Sequence, residues 1–159
     1  MNMKRLVMVL FIIAAMATVA VAADPWTGTW KLNPEKSKAP GGRIPHPTSV
    51  NIITIDGDMM TLVADHTDTA GNSEHVEYTA KLDGTEAPVT TVPAGPGTYM
   101  ISVKRIDART REFSEVIGKI TIAGTDVLSE DGKTFSRIVG VKGAEGADNS
   151  VLQFFEKQE

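Results

Sequence analysis

Apolar and polar residues alternate with a period of two along most of the chain after Pro47. In residues 73–82, for example, apolar residues occupy every second position from Val76 to Leu82, and polar residues lie between them. This alternation is typical of a β-strand with one buried and one solvated face. The pattern recurs between turn residues and predicts about ten strands, at residues 24–32, 48–56, 59–66, 73–82, 87–92, 98–107, 111–117, 120–129, 134–142 and 151–157.

The connections between most of these stretches are short and rich in turn residues. Asp56-Gly57 and Asp131-Gly132 are hairpin signals, because glycine tolerates the positive φ that tight hairpin turns require, and Asp83-Gly84 predicts a further turn. Sequential strands joined by short turns indicate an antiparallel meander, and no helix–strand alternation points to a parallel sheet. A meander leaves two exposed edges unless it closes. The sequence therefore predicts an all-β fold, a single antiparallel up-and-down β-barrel of about 8–10 strands.

Residues 26–32 contain both tryptophans of the chain, Trp26 and Trp30, on either side of Gly28. From Trp30 onward the stretch alternates as a half-buried strand does, and we predict that Trp30 closes one end of the barrel. Residues 33–47 contain four prolines, which fix φ and cannot donate to a strand ladder, so they form a loop. Such a long loop serves either as a lid or binding loop or as an ordered surface crossover.

Residues 1–23 have the features of an export signal. Lys4 and Arg5 supply the positive start, and residues 6–23 form an uncharged apolar run. The run is also just long enough to span a bilayer, which makes a permanent membrane anchor the alternative. The alanine-rich end and the abrupt change at Asp24 favour cleavage. Two small-x-small cleavage sites are present, Ala20-Val21-Ala22 and Val21-Ala22-Ala23.

Cleavage would leave residues 24–159 as one barrel domain. Since two of the 16 basic residues precede it, this domain carries 14 basic and 20 acidic side chains, a net charge of −6. Nucleic acid is excluded as a partner, because its phosphates require a basic surface. The chain has no cysteine, which excludes thiol catalysis, disulfides and a lipid-modified cysteine. We predict a bacterial protein that is periplasmic or secreted, monomeric, and free of the membrane once its signal is cleaved.

Two resemblances to known families rest on these stretches. Gly28-Thr29-Trp30 is similar to the first-strand Gly-x-Trp of the calycin superfamily, and its extension through Lys31-Leu32 resembles the opening of fatty-acid-binding proteins. Nearly the whole mature chain also resembles small exported bacterial lipocalin-like proteins. The motifs of this second resemblance are Asp24-Pro25-Trp26-x-Gly28-x-Trp30, Asn33-Pro34-x-Lys36-Ser37, residues 76–84, Lys104-Arg105-Ile106-Asp107, Ser129-x-Asp131-Gly132-Lys133-Thr134 and Phe155-Glu156-Lys157-Gln158.

Both resemblances imply a calyx with an interior ligand site. Fatty-acid-binding proteins hold a carboxylate with an Arg-x-Tyr in the last strand, and they carry a two-helix lid after the first strand. In this chain the last strand reads Gln153-Phe154-Phe155, and the connection at residues 33–47 is rich in proline. The resemblance therefore implies the barrel and its interior site, but not the carboxylate-binding residues.

The residues of each predicted strand that alternate toward the barrel interior are the candidates for ligand contacts. For each large apolar residue among them, the alternative is that it only packs in the core. Arg105 and Arg137 stand out, because each shares a phase with apolar neighbours and an inward guanidinium requires a partner. The partner would be a ligand carboxylate, an acidic side chain such as Glu115 or the face of Trp30; the alternative is a solvated place at the rims. The candidates are Trp30, Ile52, Leu62, Tyr78, Tyr99, Ile101, Arg105, Phe135, Arg137 and Phe155.

No motif in the chain has catalytic or metal-binding spacing. His46, His66 and His75 lack the close spacing of a metal site, and we expect no metal, no cofactor and no catalytic residue. A Gly-x-Ser-x-Gly elbow, a phosphate loop and a dinucleotide fingerprint are all absent from the sequence. The leading hypothesis is an exported barrel that binds a small hydrophobic or amphipathic molecule inside, with Arg105 or Arg137 orienting its polar end. The alternatives are an isomerase or cyclase on the same barrel and a packed barrel that acts as a protein-interaction module.

Overall fold

A computed structural model of the protein describes residues 23–95, 97–142 and 150–159. The signal-peptide interpretation of residues 1–23 therefore lies, apart from Ala23, outside the described residues. No helix in the described part of the chain is long and apolar enough to cross a membrane. The strands there are β1 (Gly28–Leu32), β2 (Thr48–Asp56), β3 (Met59–Thr67), β4 (Ser73–Lys81), β5 (Asp83–Pro88), β6 (Thr90–Val92), β7 (Tyr99–Arg105), β8 (Thr110–Ile117), β9 (Ile120–Leu128), β10 (Thr134–Val141) and β11 (Val151–Lys157).

These eleven strands form one antiparallel sheet that curls into a nearly closed barrel. The order across the sheet is β5-β7-β8-β9-β10-β11-β1-β2-β3-β4-β6. The first and last long strands meet, since Leu32 of β1 pairs with Phe155 of β11. The short strands β5 and β6 form the two edges, where they pair with β7 and β4. The predicted antiparallel up-and-down barrel is confirmed, with eleven strands in place of the expected 8–10.

The predicted single strand at residues 87–92 is wrong, because the chain changes sheet edge within it. β5 pairs with β7 and β6 pairs with β4, and between them the backbone N–H of Val89 donates to the Tyr99 carbonyl at 2.9 Å. The turn predicted at Asp83-Gly84 is present where β4 ends and β5 begins. Gly84 has a positive φ of 92°, but the turn directs β5 onto β7 and not back onto β4. A glycine signal predicts a turn but does not specify which strand the chain meets afterwards.

The hydrophobic core fills one end of the barrel, called here the closed end. Trp30 has an exposed fraction of 0%, and its indole Nε1 donates to the Trp26 carbonyl at 2.9 Å. The Phe135 ring meets Trp30 edge-on at 5.0 Å between centroids and stacks on Phe155 at 4.5 Å. Edge-on and offset-stacked aromatic pairs of this kind stabilise a core beyond the area they bury. The prediction that Trp30 closes one end of the barrel is confirmed.

The proline-rich loop at residues 33–47 crosses the opposite end, called here the mouth. Lys38 and Leu152 exchange backbone hydrogen bonds of 2.7 and 2.8 Å, which fix the loop to β11. After a single 3-10 turn at Pro40–Gly42 the side chain of Ile44 is buried, and His46 then lies beside the barrel interior. The loop is thus an ordered crossover that also borders the mouth, and its role as a lid or binding loop stays a prediction.

Candidate ligand-binding site

The mouth half of the barrel encloses a cavity of about 680 Å³. Its wall is built by residues of eight of the long strands, and Pro45, His46, Ala94, Gly95 and Gly97 also line it. A cavity of this size lies within the range of small-molecule sites. A completely filled interior, as the packed-barrel hypothesis requires, is not what the structure shows. The apolar part of the wall consists of Leu62, Ala64, Val76, Val89, Phe113, Ile117, Ile122, Val139, Val141, Val151 and Phe155.

One row of the wall contains a glycine against which a phenyl ring lies. Strand register places Phe113, Gly124, Val139 and Val151 in one row across β8, β9, β10 and β11. A Cβ atom at Gly124 would lie 2.6 Å from the Phe113 ring and 2.5 Å from the Ile138 carbonyl. Glycine at this position therefore allows the phenyl ring to lie against the backbone of β9, which leaves the centre of the barrel open.

Beneath this row lies a buried ionic cluster, which we call the floor triad: Arg111, Asp126 and Arg137. Register aligns them on β8, β9 and β10, with Gln153 next in the row on β11. Arg137 donates from Nε and Nη2 to the Asp126 carboxylate at 2.7 and 3.0 Å, and Arg111 donates from Nε at 2.8 Å. The exposed fractions of Arg111 and Asp126 are 2% and 0%. The triad thus places charged groups that bind one another between the cavity and the aromatic rings of Trp26 and Phe135.

The floor triad is held in its charged form. Burial opposes the charge on Asp126, but Arg137 and Arg111 together lower the pKa of its carboxyl. Burial likewise opposes the charge on Arg137, but Asp126 raises the pKa of its guanidinium. Two guanidinium groups and one carboxylate give the triad a charge of +1. Arg111 Nη2 is buried and has no hydrogen-bond partner among the described residues.

Two carboxylic side chains line the cavity above the triad, Glu115 on β8 and Glu74 on β4. The Tyr99 hydroxyl donates to Glu115 Oε2 at 3.1 Å. Burial raises the pKa of Glu115, and Asp126 and Glu74 add to the increase, while Arg137 and the hydrogen bond from Tyr99 oppose it. Burial, and then Glu115, also raise the pKa of Tyr99, so its phenol remains a donor at neutral pH. This wall of the cavity is acidic and incompletely neutralised.

A histidine pair lies at the mouth. The rings of His46, from the loop, and His66, from β3, are 5.4 Å apart, and both line the cavity. His66 Nδ1 lies 2.9 Å from Ser49 Oγ, which in turn donates to Asn51 Oδ1 at 3.2 Å. Burial, followed by the charges of His46 and Arg137, lowers the pKa of His66 to about 4. Among the described residues, no three acidic or histidine side chains converge as metal ligands would.

The His66 environment predicts a loss of stability in mild acid. In the unfolded chain His66 takes up a proton near pH 6.5, but in the folded protein only near pH 4, so stability is fully present above pH 6.5 and is lost as the pH falls toward 4. The expected loss between pH 7.5 and pH 4 is about 3 kcal/mol. Replacing His66→Gln should remove this acid slope, which is measured as the free energy of urea unfolding between pH 4 and 7.5.

Glu115→Gln is the matched control, because its effect has the opposite sign. A raised carboxyl pKa stabilises the fold below the unfolded value of 4.5, and that contribution is lost as the pH rises through the folded value. Glu115→Gln should therefore flatten the slope toward higher pH and leave the acid slope of His66 in place. An acid slope that persists in full in the His66→Gln variant would contradict the assignment to His66.

The ten sequence-predicted site residues fall into four groups. Leu62, Tyr78, Tyr99, Arg137 and Phe155 line the cavity. Trp30, Ile101 and Phe135 are buried core residues outside its lining. Arg105 lies at the closed end, where its Nη2 donates to Asp24 Oδ2 at 2.7 Å, so it occupies a rim and is not placed to orient a ligand in the cavity. The inward orientation predicted for Ile52 is wrong, because its side chain is 48% exposed on the outer face.

The sequence interpretation did not identify Arg111 and Asp126, and it named Glu115 where Asp126 is the partner of Arg137. The alternation with apolar residues that indicates an inward side chain for Arg137 also indicates one for Arg111 and Asp126. Arg111 alternates with Phe113 on β8, and Asp126 alternates with Leu128 on β9, so both share an inward phase with apolar neighbours. The Ser49–Asn51 pair gave no such signal, because polar residues in a β-rich stretch are expected on the solvated face.

Comparisons with known proteins give matches in structure alone. No protein-family model matches the chain, and no curated protein matches its sequence. The fold is similar to a Schistosoma mansoni fatty-acid-binding protein in complex with arachidonic acid (TM-score 0.62, 18% identity, 86% of this chain and 98% of that chain). It is also similar to Echinococcus granulosus fatty-acid-binding protein 1 (TM-score 0.59, 13% identity, 86% and 99%).

A third similar structure is the zebrafish ileal bile acid-binding protein complexed with cholic acid (TM-score 0.51, 13% identity, 84% of this chain and 99% of that chain). At these identities the likeness shows the fold alone. The first-strand resemblance to fatty-acid-binding proteins therefore agrees with the architecture, a barrel of the fatty-acid-binding-protein and lipocalin type. The finer resemblance to exported bacterial lipocalin-like proteins stays a prediction.

Proposed function

We propose that the protein binds a small, partly apolar molecule in the barrel cavity and carries it without chemical change. The observation that carries the proposal is the cavity of about 680 Å³, whose wall is largely apolar and includes a few inward polar groups. The solved complexes of similar fold, with arachidonic acid and with cholic acid, support the same use of this architecture. Arg137 is the floor residue that reaches the cavity, and we assign it, in place of Arg105, as the arginine nearest the ligand.

We propose further that the protein acts outside the cytoplasm, in the bacterial periplasm or in the medium, as a monomer. The support is the sequence alone: Lys4 and Arg5, the apolar run that follows, and the small-residue cleavage sites before Asp24. N-terminal sequencing of protein recovered from the periplasm tests this proposal, and a start at Ala23 or Asp24 is expected. Protein that keeps residues 1–23 and stays with the membrane would support the anchor alternative.

Native mass spectrometry of protein purified from its own source tests the carrier proposal, and we expect a co-purifying small molecule. A cavity-filling variant makes the test specific. Ala64 is a buried residue of β3 that lines the cavity, so Ala64→Phe should occupy ligand space and weaken binding of a neutral apolar fluorophore such as Nile red roughly tenfold or more. Fluorescence titration measures the dissociation constant.

Val63→Phe is the control for this variant. Val63 is the neighbour of Ala64 on β3, and its side chain points to the outer face, so the same aromatic addition should leave Nile red binding unchanged. Equal binding by the two variants would place the fluorophore outside the barrel. Protein that has only its own mass and binds no apolar fluorophore would contradict the carrier proposal.

An enzyme on the same barrel is the second candidate, and the Glu115–Tyr99 pair favours it. A carboxyl group whose pKa is raised by burial, next to a phenol donor in a cavity, has the properties of a general acid or base. An isomerase or cyclase would use Glu115 to transfer a proton within the bound molecule. The two candidates differ in outcome, because a carrier releases the co-purified molecule unchanged after prolonged incubation, whereas an enzyme converts it.

A further inference from the structure

The positive charges near the cavity are already neutralised in part by protein groups. Asp126 accepts hydrogen bonds from both arginines of the floor triad. Aromatic rings cover the two guanidinium groups, Trp26 at 4.1 Å from Arg111 and Phe113 at 4.6 Å from Arg137. Arg111 is absent from the cavity lining, so Arg137 is the arginine that a ligand reaches. An anionic ligand would therefore have to compete with Asp126 for it.

The carboxylic groups of the wall have no direct ion pair, although Tyr99 donates a hydrogen bond to Glu115 and the charge of Arg137 lowers the pKa of Glu115 in part. Among the described residues, no Lys, Arg or His nitrogen lies within 4.0 Å of Glu74 or Glu115. Glu74 is near enough to Glu115 to raise its pKa, and His66 adds no positive charge at neutral pH because its pKa is lowered to about 4. A bound cation favours the ionised form of a carboxyl group. With both glutamates ionised by such a cation, the floor triad and the two wall carboxylates together carry −1.

We propose that the cavity selects an amphiphilic amine, with its ammonium group bound by Glu115 and Glu74 and its apolar part against the aliphatic wall. This inference rests on the proposed ligand-binding function and specifies the class of ligand. An ammonium group has three donors, which the oxygens of the two carboxylates can accept, and its charge balances the −1 of the triad and the two carboxylates. A carboxylate in the same place would meet like charges and would leave the glutamates uncompensated.

The test uses three ligands that differ in one polar group: decylamine, decanoic acid and decanol, each below its micelle concentration. Displacement of Nile red from the protein at pH 7 gives the three affinities. An ion pair with hydrogen bonds inside the cavity should make decylammonium bind roughly tenfold tighter than decanol, and tighter still than decanoate. The alcohol measures the contribution of the apolar chain alone.

Glu115→Gln keeps the side-chain shape and the acceptor for Tyr99 but removes the charge. It should weaken decylammonium binding roughly tenfold, strengthen decanoate binding and leave decanol within about twofold. Glu74→Gln should act in the same direction. The matched control is Glu112→Gln, also on β8 but exposed on the outer face, which should change none of the three affinities.

The outcomes separate this inference from the proposed function. If decanoate binds as tightly as decylammonium or more tightly, or if the amine shows no advantage over decanol, the amine selectivity is wrong while ligand binding in the barrel stands. If Nile red and all three decyl compounds fail to bind, the ligand-binding proposal fails and the inference fails with it. The wild-type order of affinities is decisive even if a glutamate variant does not fold.

Discussion

Replacing Asp126→Asn should lower the free energy of unfolding by about 3–5 kcal/mol, because it leaves two buried guanidinium groups without their counter-ion. In the native protein the Asp126 carboxylate accepts three hydrogen bonds, two from Arg137 and one from Arg111. An asparagine has one acceptor oxygen, carries no charge and adds two donors that face the guanidinium groups. Since the site is fully buried, solvent does not screen the resulting repulsion.

Urea denaturation followed by circular dichroism measures this loss. Asp56→Asn is the matched control, because Asp56 is exposed at the end of β2, and we expect a change within about 0.5 kcal/mol. A triple variant with Arg111→Met, Asp126→Leu and Arg137→Met removes all three charges together. It should be close to the wild type in stability, as buried ion clusters often are when apolar residues of similar volume replace them. A loss below about 1 kcal/mol in Asp126→Asn would show that the triad is not a unit.

The barrel could be predicted because alternation is a local property of each strand. The predicted stretches 48–56 and 151–157 coincide with β2 and β11, and those at 73–82 and 134–142 differ from β4 and β10 by one residue. Strands with one mainly apolar face, such as β4, can all bury that face in a barrel, which also pairs most strand edges. Alternation does not indicate which edge of the sheet a short strand joins. For this reason the prediction of one strand in place of β5 and β6 is wrong.

The direction of a side chain is less predictable where both phases of a strand are apolar. Ile52 and Ile53 are adjacent in β2, and hydrophobicity does not distinguish them. The structure buries Ile53 and exposes Ile52, so the inward phase of β2 also contains Ser49 and Asn51. Because Ser49 and Asn51 are polar, the residues of β2 that face the interior resemble a solvent-facing set in the sequence. For the same reason the sequence does not indicate the contact between Ser49 and His66 at the mouth.

The floor triad required information that the sequence does not hold locally. Arg111, Asp126 and Arg137 lie on three strands, and they meet because the registers of β8, β9 and β10 place them in one row. A shift by one residue in any of these strands would turn its charged side chain to the outer face. Alternation alone could have identified each of the three as inward, but not that Asp126 accepts hydrogen bonds from both arginines.

Replacing Trp30→Ala should lower the free energy of unfolding by about 4 kcal/mol, because it removes the fully buried indole at the centre of the closed end. The indole lies edge-on to Phe135 and donates a hydrogen bond to the Trp26 carbonyl, so truncation loses packing, an aromatic pair and the partner of a buried acceptor. The space left is enclosed by strands whose pairing prevents them from moving together to fill it.

Circular dichroism in urea measures this effect better than tryptophan fluorescence, because the substitution removes one of the two indoles. Lys31→Ala is the control on the same strand, since Lys31 is exposed on the outer face, and it should cost no more than about 0.5 kcal/mol. Trp30→Phe should be intermediate, because it keeps an aromatic ring but loses the Nε1 donor. If Trp30→Ala cost less than about 1 kcal/mol, the closed end would owe its stability to other residues. The floor triad above it would then lack the rigid apolar base that holds its arginines in register.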